Sequence, residues 1–473
     1  MHYSITKLLN RRIVAIVAAA GVLVACGADQ VAGIQGTGNP VASGVTSVGP
    51  ISGFGSVIQG GVEYATSGAQ IRLDDQSGTE SQLRVGQVVV IKGSVNPDGV
   101  TGTATEVTFI SDLRGPVGQI DVAAGTFKVL GQTVRVDDAT VFDDGIQPAS
   151  LEGLQSGTAV QVSGFANAAR EIVASRVDLS VTGLQVRGVV ASLDAAAHTF
   201  VINSLTVNYG SVTPTGTLAN GSTVVVRGVA IANGALVATQ VQVIGALSAA
   251  ANDRGNLDGL IAAFVSNADF TVEGQRVITD GSTVFDLGGA VLGVDVPVRV
   301  RGTFTASGAL LASRVEVKAK NLSLVRGQVD AVSSANKTLT VLGVAITTNV
   351  GTSFEDKSNQ HVKLFRLADV RTGDYVEVRG VPGTGNSLVA TLVQRDKPED
   401  RVYLQGLARD LANPNFTILG LQVMTNAQTR FVGLGGQSRA AEQFFSDASG
   451  RAVRVRGALA GGVVVADQVK IQH

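Results

Sequence analysis

The 473-residue chain has no tryptophan, one cysteine, two methionines and ten prolines, and aromatic residues make up 4% of it. Each scarcity removes a class of protein. Without a second cysteine, and with histidines at positions 2, 198, 361 and 473 only, no zinc or iron–sulfur site can be written. The five tyrosines and missing tryptophan cannot supply the stacking platform that single-stranded nucleic acid needs, and they leave sugar binding without its usual aromatic support. Charged residues are 16%, with 37 Lys and Arg against 38 Asp and Glu, so this is neither a disordered polyanion nor a basic binder of nucleic acid. The few prolines, with no Gly-X-Y period, exclude collagen. Abundance lies elsewhere. The 58 glycines are about 12% of the chain against roughly 7% on average. Together with a valine-rich, ring-poor composition they predict many short strands joined by tight turns.

Residues 1–25 read as a lipoprotein signal peptide. Lys7, Arg11 and Arg12 form a positive start and Ile13 to Ala25 an apolar run. That run is too short to span a hydrocarbon core, which takes roughly 20 residues, and right for a secretory segment. It closes on Leu23-Val24-Ala25-Cys26, which resembles a bacterial lipobox. The resemblance implies cleavage before Cys26, a diacylglyceryl thioether on its sulfur and a further acyl chain on its amino group, enough to anchor the protein stably. An ordinary signal peptide that happens to end near a cysteine is the rival reading. Gly27 follows the cysteine, where an aspartate would resemble an inner-membrane retention signal, so the outer membrane is the expected address. No later run reaches 18 apolar residues free of charge. Cleavage removes three cations and no acid, which moves the net charge from −1 to −4. Residues 26–45 are small and carry one charge, and they are expected to act as a flexible tether.

Everything after the tether repeats. A Val-rich strand ending in glycine recurs at Gly93, Gly164, Gly228, Gly302, Gly380 and Gly457, with spacings of 71, 64, 74, 78 and 77 residues. Six units follow: 46–112, 113–182, 183–251, 252–321, 322–400 and 401–473. Each opens with a strand around a glycine, as in Leu113-Arg114-Gly115 and Val325-Arg326-Gly327. A hairpin comes next, as in Phe127 to Val136, where strict alternation marks one buried face and a central glycine supplies the turn. Then comes Thr-x-Phe at Thr140, Thr283, Thr352 and Thr429, its ring read as a core plug. A polar connector, the glycine-marked strand and a last strand complete the unit. The connectors of units five and six are longer, and Ser438 to Phe445 has the length for two helical turns. Five short strands with a loop between the third and fourth predict an all-β fold of about six small OB-like barrels; a flat two-sheet sandwich is the rival.

The stretch Gly49-Pro50-Ile51-Ser52-Gly53-Phe54-Gly55-Ser56-Val57, then Gly61-Val62-Glu63-Tyr64, resembles the opening of bacterial lipoproteins carrying tandem copies of domain of unknown function 5666. Gly33-Ile34-Gln35-Gly36-Thr37-Gly38 is similar to their usual lead-in. The resemblance covers essentially the whole mature chain and implies OB-like β-barrel repeats on an exported lipoprotein. It brings no activity and no catalytic residues.

The candidate chemistry is sparse. A hydrolytic triad would have to recruit His198 or His361 from unlike positions in unlike units, so no catalytic residue is assigned. Asp137, Asp138, Asp143 and Asp144 flank one Thr-x-Phe, and Asp74-Asp75 holds the comparable place in unit one. Such carboxylates could hold Ca²⁺, but paired Asp residues also populate turns, and other units lack the set. The turn reading is preferred and no cofactor is expected. Gly53-x-Gly55 followed by Gly60 could be taken for a nucleotide loop, but strand pattern follows it where a phosphate loop needs a helix. Arg227, Arg299, Arg301, Arg379, Arg454 and Arg456 alternate with Val and line one face, read as a solvated outer surface paired with nearby acids. The expected role is therefore non-enzymatic: a rod or array of barrels held to the outer membrane through Cys26, on its periplasmic or outer face, with a structural, adhesive or scaffold function. Its partners would be an envelope protein or glycan and not nucleic acid. The alternative is a periplasmic binder of a small ligand, cation or glycan that uses loops of one divergent unit.

Overall fold

A computed structural model describes residues 43–472 except 55, 123, 138, 181–182, 246, 288–289, 319–322, 350–351, 363–364 and 434–436. The second repeat shows the plan. Its opening strand Leu113–Asp121 pairs antiparallel with Thr126–Val129, which turns back into Gln132–Arg135. That strand runs parallel to the last strand, Ile172–Leu179. The last strand pairs antiparallel with Ala159–Ala166, which returns to the opening strand and closes the ring. The same ring closes in the other five repeats, from Ser43–Phe54 in the first to Val463–Ile471 in the sixth. The fold is all-β, in small five-stranded barrels rather than sandwiches. Closure matters because a valine-rich strand with a bare edge is a template for aggregation. The first barrel begins at Ser43, inside the expected tether, because Ser43 to Val45 already pair with Val95 to Gly93. Among the described residues the one α-helix is Ala441–Asp447, which starts three residues later and ends two later than the stretch the sequence suggested.

The glycine that marks each repeat does not end its strand. Ala159–Ala166 runs two residues past Gly164, and the other five strands likewise continue. At every one of these glycines the ladder with the last strand slips by a residue, a β-bulge between Lys92 and Gly93, Ser163 and Gly164, Arg227 and Gly228, Arg301 and Gly302, Arg379 and Gly380, and Arg456 and Gly457. The bulge presses the two backbones together. A Cβ on any of the six would stand less than 3.0 Å from a carbonyl oxygen of the last strand, such as that of Thr103, Val173 or Leu311. Each glycine faces an alanine, Ala104, Ala174, Ala238, Ala312, Ala390 or Ala466. Bulges bend strands sharply, and a ring of only five strands needs that bend. The threonine of Thr-x-Phe clasps the same place: Thr140, Thr283, Thr352 and Thr429 each donate a 2.7 Å hydrogen bond to the carbonyl of Ala174, Ala312, Ala390 and Ala466.

The ring that follows that threonine is not a uniform plug. Phe142 and Phe431 are buried, but Phe354 is half-buried and Phe285 exposed. The ring that fills the barrel sits instead on the first hairpin strand, as Phe127, Phe200, Phe270 and Phe416, all fully buried. Side chains from opposite strands of a closed barrel converge there, so one large ring fills the narrow interior.

The barrels are not strung in sequence order. The opening strands of repeats 2 and 3 pair through Arg114 with Gln185 and Leu113 with Val186, and those of repeats 5 and 6 through Leu324 to Arg326 with Gln405 to Tyr403. Repeat 1 joins repeat 4, by a parallel ladder of Val45 to Val48 with Arg254 to Leu257. The hydrophobic interiors of repeats 2 and 3 merge, as do those of 5 and 6. A rod of independent units would have none of these features, and residues 42–473 cluster as one unit. Gly302→Ala is expected to lower stability by about 1–3 kcal/mol through overpacking against backbone, whereas Gly281→Ala, with open space around it, should change little. Chemical denaturation of the two variants checks this.

Candidate functional site

Most of the polar residues that looked like a solvated face form the joints between barrels, while Arg456 is exposed as expected. In repeats 2, 4, 5 and 6 the residue before the opening-strand glycine lies opposite a polar residue of the glycine-marked strand: Arg114 faces Gln161, Asp258 faces Arg299, Arg326 faces Glu377 and Gln405 faces Arg454. In repeat 3 the rung shifts to Gln185 and Arg227. These rungs project from the outside of each barrel, and neighbouring barrels cover them.

The fullest joint gathers repeats 1, 2 and 3 around Asp74 and Asp75. Both sit in a tight turn with left-handed backbone, at φ of 49° and 68°. The Asp74 carboxylate accepts from the Ser111 amide at 2.8 Å, from Gln185 at 3.1 Å and from Arg114. Arg227 donates to Asp75 and Gln240, each at 2.8 Å, and to Gln185 at 2.9 Å. The acidic pair that suggested a cation is therefore matched by two guanidinium groups.

In repeat 4 Asp258 takes both arms of Arg299 at 2.7 and 2.8 Å, with Lys318 at 3.2 Å. Burial alone would raise its pKa, but the two cations outweigh that and hold it far below the usual carboxylate range. Arg301 reaches across to the Gly60 carbonyl of repeat 1 at 3.0 Å. Arg326, between repeats 5 and 6, lies over the rings of Tyr375 and Tyr403, 5.4 and 5.1 Å from their centres. Two carboxylates beside it diverge. Glu377 is held at about 2, because Arg379, Arg326 and Arg454 outweigh its burial, while burial pushes Asp396 up to about 6. In repeat 5 Arg395 grips Asp356 at 2.5 and 3.0 Å above the Phe365 ring.

Sequence-predicted site residues fall out as follows. Asp137 and Asp143 accept from amides in their own turns, those of Ala139 at 2.9 Å and Gly145 at 2.8 Å. Asp144 pairs with Lys357 of repeat 5 at 3.3 Å. Asp138, the lipid-attachment candidate Cys26 and the lipobox residues Leu23, Val24 and Ala25 lie outside the described residues. Among the described residues no group of three His, Cys, Asp or Glu is placed to hold a metal ion. His198 stacks edge-on against Tyr209 at 5.4 Å, and His361 belongs to another repeat. The Gly53 loop leads into the strand Val57–Gln59. Arg227, Arg299 and Arg379 do pair with acids, but mostly buried under a second barrel or beside one, which corrects their reading as solvated.

The six-fold period is matched by a family. Residues 45–108, 114–178, 187–242, 258–316, 326–394 and 405–470 each match Domain of unknown function (DUF5666). The chain belongs to that family. No curated protein matches it. Each DUF5666 copy runs from the opening strand to the last, so the copy coincides with one closed barrel. What sequence reasoning missed was the rung. Its signal was visible in Arg114-Gly115 and Arg326-Gly327: a long cation beside a glycine of the opening strand, repeated where the strand alternation gave no reason for it.

Asp258→Ala should destabilise the protein by about 3–5 kcal/mol, since it strands the largely buried guanidinium of Arg299. Asp269→Ala, which removes an exposed pair with Arg276, should leave stability nearly unchanged. Glu273 gives a pH signature. Burial pushes it up to about 8, opposed by Arg187 and reinforced by Asp112. The folded protein then holds a proton that the unfolded chain releases near its ordinary value of 4.5, so this group's contribution weakens as pH rises through that interval to about 8. Melting temperatures between pH 5 and 9 should fall less steeply for Glu273→Gln than for the parent. Identical slopes would contradict the assignment.

Proposed function

We propose that the protein is a non-enzymatic, lipid-anchored component of the bacterial cell envelope whose joined barrels act as a scaffold, structural or adhesive. The observation that carries this reading is the fate of the polar rungs. The side chains best suited to bind or transform a ligand, among them Asp74, Arg227, Asp258 and Arg395, are spent on one another between and within barrels. Charges arranged to hold a body together suit a load-bearing or presenting role. The lipobox Leu23-Val24-Ala25-Cys26 supplies the tie to the membrane. Gly27 after it favours the outer membrane, on either face. With repeated exposed surfaces, weak contacts to an envelope protein or glycan would add through effective concentration.

A second reading rests on one feature. An open cleft of about 810 Å³ lies between repeats 5 and 6, lined by the hairpin turns at Leu342-Gly343 and Leu419-Gly420 and by Asp330, Thr384, Asn386 and Leu459. It belongs to the repeats with the long connectors, where a small ligand or glycan site in a divergent unit was expected. Filling it with Asn386→Trp would abolish a ligand's binding while leaving the scaffold intact.

The anchor is tested by Cys26→Ser, which should move the protein from the membrane to the soluble envelope fraction. Retention in the membrane fraction would refute lipid anchoring. Capture of partners from envelope extracts with and without EDTA separates the scaffold from a calcium-dependent binder, because only the latter loses every partner on chelation.

A further inference from the structure

Charge of one sign gathers on the outer face of repeat 6. Across the sheet of a barrel, side chains that point outward line up from the Thr-x-Phe strand through the last and glycine-marked strands to the opening strand. In repeat 4 one such row runs Asp286, Glu316, Arg299, Asp258. Its equivalent in repeat 5 runs Glu355, Gln394, Glu377, Arg326. In repeat 6 the same row runs Val432, Lys470, Arg454, Gln405, two cations with no acid. The row beside it, Arg430, Gln468, Arg456, Tyr403, adds two more cations. Among the described residues Arg430, Arg454 and Arg456 make no hydrogen bond or ion pair, and Arg430 and Arg456 are exposed. Acids nearby are already engaged: Asp467 with Arg401 at 2.5 Å, and Glu399 with Arg326 and Glu377 with Arg379, each at 2.7 Å. Among the described residues only Glu152, on the connector of repeat 2, pairs with the patch, 3.8 Å from Lys470. Four cations thus stand in two neighbouring rows against one acid.

We propose that this face of repeat 6 binds an anionic polysaccharide, whose carboxylates meet Arg430 and Arg456 and, beside them, Arg454 and Lys470. Arg430 and Arg456 lie two strands apart, roughly 9–10 Å, with Gln468 between them. Such spacing suits an extended chain that carries charge along its length better than one small anion. A guanidinium can grip a carboxylate with two parallel donors, and the half-exposed Gln468 amide can meet hydroxyls between the charges. Two observations set aside the other polyanions. The one ring of the two rows, Tyr403, is already stacked with Arg326 at 5.1 Å, so the bases of a nucleic acid find no free platform. The one aliphatic side chain, Val432, is buried, so a bilayer would meet charge here with nothing to insert. The polysaccharide is the partner of the proposed scaffold and rests on that reading, but binding by the purified chain and release by Cys26→Ser are separate results, and either can fail without the other.

Fluorescence anisotropy of labelled polygalacturonate with the full chain in mild detergent tests it, with neutral dextran as the reference. The chain should bind the polyuronate and not the dextran, and more weakly as salt rises, because exposed charges are screened. Arg430→Gln and Arg456→Gln together should raise the dissociation constant about fivefold or more, the scale of two exposed charge contacts, with an unchanged melting temperature. Position 468 gives effects of opposite sign. Gln468→Lys should tighten binding, and Gln468→Glu, which sets an acid between the two guanidinium groups, should weaken it. Lys337→Gln, at an exposed hairpin turn of repeat 5, should change nothing. A chain that ignores polygalacturonate, or binds it equally well after the paired arginine change, overturns the proposal. Tighter binding to oligothymidylate or to phosphatidylglycerol vesicles than to polygalacturonate would overturn it too, and give the face to a nucleic acid or a membrane.

Discussion

A charge taken out of water must find its opposite in the place it is taken to. That condition governs how these six barrels come together. Each barrel closes its own sheet, so backbone pairing from one barrel to the next is confined to short ladders such as Val45 to Val48 with Arg254 to Leu257, and the interiors are filled by valine and one large ring. What remains on the outside are the polar rungs. When a second barrel covers a rung, its guanidinium or carboxylate is stable only if a matching group is waiting, as Asp75 waits for Arg227. An unmatched pairing of barrels would strand a buried charge, at a penalty of several kcal/mol. Such a penalty selects one arrangement among many packings of similar units.

The barrel itself rests on a smaller constraint. A ring of five strands has to bend hard, and the bend sits where the glycine-marked strand crosses the last strand. The two backbones come so close there that neither a side chain at the glycine nor a large one at the facing alanine fits, and the threonine of Thr-x-Phe ties the connector to that alanine's carbonyl. Sequence period and barrel closure are thus the same fact. Glycine recurs every 64–78 residues because each new barrel needs one bulge.

Much of this was legible before any coordinates. Hairpins such as Phe127 to Val136 announce themselves through alternation, and the six glycines through spacing, because both are local. The five-stranded barrel followed from the count of short strands and the loop between the third and fourth. The role of the glycine was misread as a strand end, since a bulge and a stop leave the same mark in one dimension. Phe285 was taken for a plug because it shares a motif with Phe142, yet what buries Phe142's strand is a different repeat. The union of repeat 1 with repeat 4 left no trace, since a strand such as Val45 to Val48 shows its inward face but not which neighbour lies along its edge. Arg227 and Arg299 likewise looked solvated: alternation says that a side chain points out of its own barrel, and says nothing of what stands there. The anchor residues Leu23 to Cys26 rest on sequence alone.

The most direct test of the account is a double-mutant cycle on Asp75 and Arg227, which lie 152 residues apart in repeats 1 and 3 and are 2.8 Å from each other. Unfolding free energies of Asp75→Ala, Arg227→Ala and the double variant should show a coupling of more than about 1 kcal/mol, as expected for a partly buried pair within one network. If the two changes add within about 0.5 kcal/mol, the barrels are not held together by their rungs.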